Sequence, residues 1–202
     1  MTIYYPNGQP YRKKGEEAPH EDQRQVKYGH RGMTLEEDLN VSNQYYLHSD
    51  QAVIYKKPTP VQIVHVDYPR RSAAKITEAY FRKASTTDYN GVFKGKYVDF
   101  EAKETTHANY IPLKNFHEHQ VTHMDRIRRH GGIGFIIVKF KKSNEVFLLD
   151  ASVLSECWRA SLKHGGRKSM SRTLFLKKGH LIPQHFMPRL DYLRVVRDVY
   201  FN

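Results

Sequence analysis

Two carboxylates and an amine stand close together within residues 86–105, TTDYNGVFKGKYVDFEAKET. Side chains of a β-strand alternate between its two faces, so Asp99, Glu101 and Lys103 share one face opposite an apolar one. A hairpin with the preceding strand can bring Asp88 opposite Glu101. The stretch therefore predicts two carboxylates that converge beside an ammonium group.

Such a cluster is suited to a divalent metal. Crowded carboxylates repel each other unless a cation lies between them. Mg²⁺ uses a few hard oxygen ligands and keeps several waters, so two carboxylates with a hydroxyl or amide oxygen would hold it. Gln120, on the inward stripe of a predicted helix, can supply that amide. The chemistry implied is phosphodiester hydrolysis by a metal-activated water, with Lys103 positioning or deprotonating the water or offsetting charge on the phosphate.

The alternative for this stretch is a solvated strand face, because acidic and basic residues commonly alternate on exposed strands. Two observations favour the metal site. The strand that carries Glu101 and Lys103 has a cleanly apolar opposite face, and no other acidic residue of the chain stands two positions before a lysine on such a strand. The basic composition of the chain points the same way.

The charge of the chain indicates a polyanionic partner. The 202 residues contain 33 Lys and Arg against 21 Asp and Glu, a formal net charge of +12. Nucleic acid is the natural partner for such an excess. No run approaches the roughly 20 apolar residues of a membrane span, and no secretory signal is present, so we expect a cytoplasmic protein without a membrane partner.

The predicted organisation is a flexible tail over residues 1–30 and a single domain over residues 31–202. Thr34, with Glu37 three residues later, predicts a capping box that begins a first helix. The turn Lys94-Gly95-Lys96 joins two strands. Further predicted elements are a strand at 52–57, a helix with one face from Leu113 to Ile127, a hairpin of 134–140 with 145–150, a helix at 153–162, a short strand at 180–183 and a C-terminal segment that packs on the sheet.

Residues 56–85 are expected to form a cationic insertion that faces DNA. Residues 56–83 hold seven Lys and Arg against two Asp and Glu, an excess of five. Three prolines interrupt residues 57–71, which suits an edge or a projection. Residues 72–85, SAAKITEAYFRKAS, are predicted to be helical with Ser72 as the cap.

The site residues resemble the PD-(D/E)xK nuclease pattern. Asp88 matches its acid and Glu101-Ala102-Lys103 its E-x-K group, although Thr87 stands where proline is usual. More closely, the stretches GMTLEEDLN, TTDYNGVFKGKYVDFEAKET and FHEHQVTHM together resemble RecU-type Holliday junction resolvases, from about residue 28 to the end. The resemblance implies a restriction-endonuclease-like α/β core, with a mixed central sheet flanked by helices and a protruding basic stalk.

The resemblance also implies site residues. In that family Thr86, Asp88, Glu101 and Gln120 match the Mg²⁺-binding positions, where Mn²⁺ is a possible substitute. Lys103 matches the lysine that stabilises the transition state. Asp88, Glu101 and Lys103 are therefore the expected catalytic residues.

Partners follow from the same resemblance. Lys56 and Arg71 match basic positions of the stalk that engages four-way junction DNA. The family acts as a homodimer that makes paired symmetric nicks, and it modulates the recombinase RecA during repair and chromosome segregation. Two rival hypotheses stay open: a sequence-specific restriction endonuclease, and a non-catalytic basic protein that binds DNA or regulates the recombinase.

Other residues carry weaker signals. The sequence HEHQV fails the zinc protease pattern because Val121 stands where a second histidine is required, so a zinc site is not expected. Cys157 lacks an activating neighbour and is interpreted as a buried thiol. The roles of Asp99, which shares the face of Glu101, and of Glu36 on the first helix are left open.

Overall fold

A computed structural model describes residues 33–81 and 86–201, so the predicted flexible tail lies outside the described residues. The first helix, α1, covers Leu35–His48 and begins with the predicted capping box. Thr34 Oγ1 accepts from Glu37 N at 3.2 Å, and Glu37 Oε2 accepts from Thr34 N at 2.7 Å. These two bonds satisfy backbone groups that a helix start leaves free.

The remaining described elements are strands, four further α-helices and two short 3₁₀ turns. The strands are β1 Val53–Lys56, β2 Val61–Asp67, β3 Lys75–Phe81, β4 Tyr89–Phe93, β5 Lys96–Thr105, β6 Tyr110–Pro112, β7 Ile133–Phe140, β8 Glu145–Asp150, β9 Ser169–Ser171 and β10 His180–Leu181. The helices are α2 Glu118–Arg129, α3 Ala151–Leu162, α4 Arg172–Lys178 and α5 Tyr192–Tyr200, and the 3₁₀ turns are Arg71–Ala73 and Leu113–Asn115.

A six-stranded mixed sheet forms the centre, in the order β1-β4-β5-β7-β8-β10. Strands β5 and β7 run parallel, and the other neighbouring pairs are antiparallel. All eight residues of β7 are buried, as the density of apolar residues in this hairpin predicts. The mixed sheet flanked by helices confirms the predicted fold class and is consistent with a restriction-endonuclease-like core.

Each face of the sheet packs against its own helices. On one face, Phe100 of β5 stacks on Phe135 of β7 with ring centroids 4.8 Å apart, and both pack with Tyr192 of α5 and with α1. On the other face, Ile136 packs with Met124 of α2 and with α3. Because strand side chains alternate, the odd-numbered residues of β5 lie on the face that α2 covers.

Strands β2 and β3 pair with each other in a separate two-stranded sheet, which we call the stalk. Every residue of β2 is exposed, as the predicted projection requires. The helix predicted for residues 72–85 is wrong over Lys75–Phe81, which forms strand β3, and residues 82–85 of that prediction lie outside the described residues. The β-branched and aromatic residues of β3 favour a strand, and β2 supplies the backbone partners that make one.

The helix predicted from Leu113 to Ile127 begins later than expected. Leu113 starts a 3₁₀ turn, Phe116 is extended, and α2 begins only at Glu118. The helix ends at Arg129 before Gly131, whose φ of +81° suits a glycine, as predicted. No helix in the described ranges is long and apolar enough to cross a membrane.

Candidate active site

Antiparallel pairing of β4 with β5 brings the two predicted carboxylates together. Tyr89 pairs with Phe100, and continuing this register by one residue places Asp88 opposite Glu101. The rings of Tyr89 and Phe100 stack with centroids 4.8 Å apart in the core, which fixes the register from the apolar face. A one-residue slip of β4 would turn Asp88 to the opposite face of the sheet, away from Glu101.

Lys103 lies between the two carboxylates. Its Nζ donates to Glu101 Oε1 and lies 3.8 Å from Asp88 Oδ2. The backbone N–H of Ala102 donates to Asp88 Oδ2 at 3.1 Å, which holds that carboxylate against β5. The structure thus brings together the three predicted catalytic residues.

Glu101 has one carboxylate oxygen without a partner. The residue is fully buried, and its Oε2 accepts no hydrogen bond from the described residues. Burial, and then repulsion from Asp88, raise the pKa of the Glu101 carboxyl to about 7, while Lys103 acts in the opposite direction. A buried acceptor left unpaired costs on the order of 1–3 kcal/mol. Ionisation of the Glu101 carboxyl in the folded protein is therefore unfavourable.

A divalent cation would remove both costs. Bonded to Glu101 Oε2, it would supply the missing partner and offset the repulsion between the two carboxylates. Within the described ranges, no three His, Cys, Asp or Glu side chains form a group that could hold a metal ion. This site has two carboxylates, those of Asp88 and Glu101. Mg²⁺ is commonly held by one or two carboxylates, with water completing its coordination shell.

The two other predicted metal ligands, Thr86 and Gln120, each accept a hydrogen bond from another residue of the protein. Gln120 is buried on α2, which covers the face of β5 that carries Glu101, but its Oε1 accepts from His117 N at 3.0 Å to cap the helix. An amide oxygen has two lone pairs, so this cap leaves one for a cation. Thr86 Oγ1 accepts from Lys57 Nζ at 3.1 Å. Their assignment as ligands stays a prediction.

Comparisons with known proteins identify the family. The sequence matches the family model described as Recombination protein U over residues 30–198. The chain belongs to the RecU family. Relatives named Holliday junction resolvase RecU include those of Geobacillus kaustophilus (strain HTA426), 55% identical over 202 residues, and Geobacillus thermodenitrificans (strain NG80-2), 54% identical over 202 residues. The relative of that name from Bacillus thuringiensis (strain Al Hakam) is 50% identical over 203 residues, and all three alignments cover 100% of both chains.

A second buried cluster in this RecU protein surrounds Asp99, whose role the sequence left open. Asp99 is fully buried, and its Oδ2 lies 2.6 Å from Lys57 Nζ, 3.0 Å from the Tyr97 hydroxyl and 3.4 Å from His123 Nε2. Thr87 Oγ1 donates to Oδ1. Sequence reasoning missed Lys57, because 42 residues separate it from Asp99. The only available signal was its place at the end of a strand predicted over residues 52–57.

Glu36, the other residue left open, lines a cleft of about 510 Å³ together with Asp88 and Lys103. The cleft lies between the start of α1 and strands β4 and β5. Glu36 also accepts a hydrogen bond from Lys56 Nζ. A phosphate that approaches Asp88 through this cleft would pass both an acidic and a basic side chain.

The two predicted DNA-binding residues of this RecU chain lie at opposite ends of the stalk. Lys56 ends β1 next to the cleft, and its side chain is 44% exposed. Arg71 begins the 3₁₀ turn Arg71–Ala73, which connects β2 with β3 at the far end of the ribbon.

Proposed function

We propose that this protein is a Mg²⁺-dependent, structure-selective endonuclease that resolves Holliday junctions by paired symmetric nicks in recombination, repair and chromosome segregation. The observation that carries the proposal is the unpartnered Oε2 of Glu101 beside Asp88 and Lys103. Membership of a family whose relatives are named Holliday junction resolvases supplies the substrate.

Asp88 and Glu101 would hold the metal, with Thr86 and Gln120 as further oxygen donors. When bound, Mg²⁺ polarises the phosphoryl oxygen and lowers the pKa of a bound water. Mn²⁺ also prefers oxygen ligands and would be a substitute.

Lys103 places a positive charge where the phosphate becomes more negative. Its ammonium already lies between the two carboxylates, so a phosphate drawn to a metal there would come within its reach. Groups of this kind contribute about 10²–10³-fold to the rate in other enzymes.

The homodimer follows from the symmetry of the substrate. A four-way junction has two equivalent strands to cut, and two active sites related by a two-fold axis match them. Light scattering on the purified protein tests this part. A mass of one chain, about 24 kDa, at concentrations that support cleavage would contradict it.

Contact with DNA is assigned to the stalk and its base. The excess of basic residues in the segment, with Lys56 and Arg71 at its two ends, suits recognition of phosphates along junction arms. A protein that acts on chromosomal DNA belongs in the cytoplasm of a bacterium. Modulation of RecA stays a prediction from the family, to be tested by strand-exchange assays with and without this protein.

The decisive assay incubates a labelled four-way junction and a matched linear duplex with Mg²⁺. Wild type should nick the junction symmetrically and leave the duplex intact, whereas Asp88→Asn and Lys103→Ala should bind the junction without nicking it. Asp198→Asn, a matched exposed change on α5, is the control and should cleave normally. Cleavage by Asp88→Asn at the wild-type rate would reject the site, and cutting of the duplex at a fixed sequence would favour a restriction enzyme.

A further inference from the structure

Lys57 and Asp99 form a buried ion pair where the stalk leaves the core. Lys57 is the first residue after β1, and Thr86 and Thr87 are the first described residues after the stalk. Lys57 Nζ lies 2.6 Å from Asp99 Oδ2, 3.1 Å from Thr86 Oγ1 and 2.5 Å from Thr87 Oγ1. One ammonium therefore ties both ends of the stalk to β5. We call these four residues the stalk-base latch.

The ammonium group of Lys57 makes hydrogen bonds to other residues of the protein. An ammonium has three N–H donors, and here they face three oxygen atoms of the latch. The side chain of Lys57 is 14% exposed and that of Asp99 is fully buried, whereas the neighbouring Lys56 side chain is 44% exposed. Lys57 is thus placed to order the protein, and Lys56 to meet DNA.

The latch adjoins the proposed metal site on both strands. Lys57 binds the hydroxyl of Thr86 directly, and its backbone N–H donates to the carbonyl oxygen of Asp88 at 2.8 Å. On β5, Asp99 stands two residues before Glu101 on the same face. Lys57 is therefore bonded both to the side chain of Thr86 and to the backbone of Asp88.

We infer that Lys57 is a positioning residue: through the latch it holds Thr86 and Asp88 at the spacing a divalent cation needs, and so links the stalk to the metal site. This inference rests on the proposed function, because it concerns the same metal site. Removing a residue that hydrogen-bonds to a metal ligand typically lowers metal affinity or activity by about 10–100-fold. A lysine that only stabilised the fold would leave metal affinity unchanged.

The test measures Mn²⁺ binding to the protein without DNA, from the electron paramagnetic resonance signal of free Mn²⁺. The variants are Lys57→Met and the double variant Lys57→Met/Asp99→Asn, which removes the ammonium without leaving a buried, unpaired carboxylate. The control is Lys139→Met, because Lys139 forms a comparably buried pair with Asp38, at 3.1 Å, on β7. We expect about tenfold weaker Mn²⁺ binding in both Lys57 variants, and a change within about twofold in the control.

Three further readouts separate positioning from DNA contact. Junction affinity in EDTA should stay within about twofold of wild type in both Lys57 variants, because Lys57 is not placed to reach a phosphate. The cleavage rate at saturating junction should fall with the loss of metal affinity. Hydrogen exchange of residues 86–89 should accelerate, while that of β7 should not.

Three results would overturn the inference. Unchanged Mn²⁺ binding in both Lys57 variants would make the latch purely structural. Tighter binding would show that the charge of Lys57 repels the cation more than its hydrogen bonds help. Lost junction affinity with intact Mn²⁺ binding would make Lys57 a DNA contact. If wild type itself bound no Mn²⁺, the proposed metal site would fail first, and the inference with it.

Discussion

Replacing Glu101 by glutamine should stabilise the metal-free protein while abolishing its response to metal. The carboxyl is fully buried and its pKa is raised from 4.5 to about 7, first by burial and then by Asp88. At about 1.4 kcal/mol per pKa unit, ionising it in the folded protein costs about 3–4 kcal/mol. Glutamine mimics the neutral form, so this cost disappears.

The sign of the effect depends on pH. Between about pH 4.5 and 7 the folded protein binds more protons than the unfolded chain, because the folded pKa of Glu101 is the higher one, so wild-type stability falls as pH rises through this window. At pH 8 in EDTA, Glu101→Gln should therefore be more stable than wild type by up to about 3–4 kcal/mol. Below about pH 4.5 this gain should vanish, because Glu101 is then protonated in both states.

Thermal unfolding with and without Mg²⁺ measures both halves of the prediction. For a protein of this size, each kcal/mol moves the melting temperature by roughly 2–4 °C. Wild type should gain stability from Mg²⁺ and Glu101→Gln should not. Glu156→Gln, an exposed change on α3, is the matched control and should shift stability by less than about 0.5 kcal/mol. A Glu101→Gln variant that is less stable than wild type at pH 8 in EDTA would show that ionised Glu101 does not destabilise the metal-free protein.

Three further outcomes are expected. The Mg²⁺ concentration that half-stabilises wild type should rise by up to about tenfold for each pH unit below pH 7, because Glu101 must lose its proton to bind the metal. Titration at pH 6 and 8 measures this, and pH-independent binding would contradict it. Lys56→Ala should lower the slope of log affinity against log salt for junction binding by about 1, and an unchanged slope would remove Lys56 from the DNA contacts. Arg71→Ala should weaken junction binding and leave Mn²⁺ binding intact, so equal losses of both would argue against its role in the stalk.

Local patterns predicted the elements that carry the site. Alternation along β5 placed Glu101 and Lys103 on one face, and the Gly95 turn set the hairpin that brings Asp88 opposite. Thr34 and Glu37 gave the start of α1 because a capping box involves only neighbouring residues. In each case the interaction that decides the structure spans a few residues of sequence.

The features that the sequence did not predict correctly depend on contacts between residues that are distant in sequence, or on very short strands. Residues 75–81 fit a helical spacing, but pairing with β2 makes them a strand, and only the partner decides between the two. The contact of Lys57 with Asp99 depends on where the stalk begins and ends, which no spacing in the sequence records. Strands β6 and β9 are three residues each and were missed, since such short strands have no readable period.

Anomalous diffraction from crystals of this protein soaked in Mn²⁺ would locate the metal. We expect one peak within about 2.5 Å of Glu101 Oε2 and of an Asp88 carboxylate oxygen, the range expected for a metal–oxygen bond. A peak elsewhere, with Glu101 Oε2 bonded to a protein donor or to water alone, would contradict this expectation.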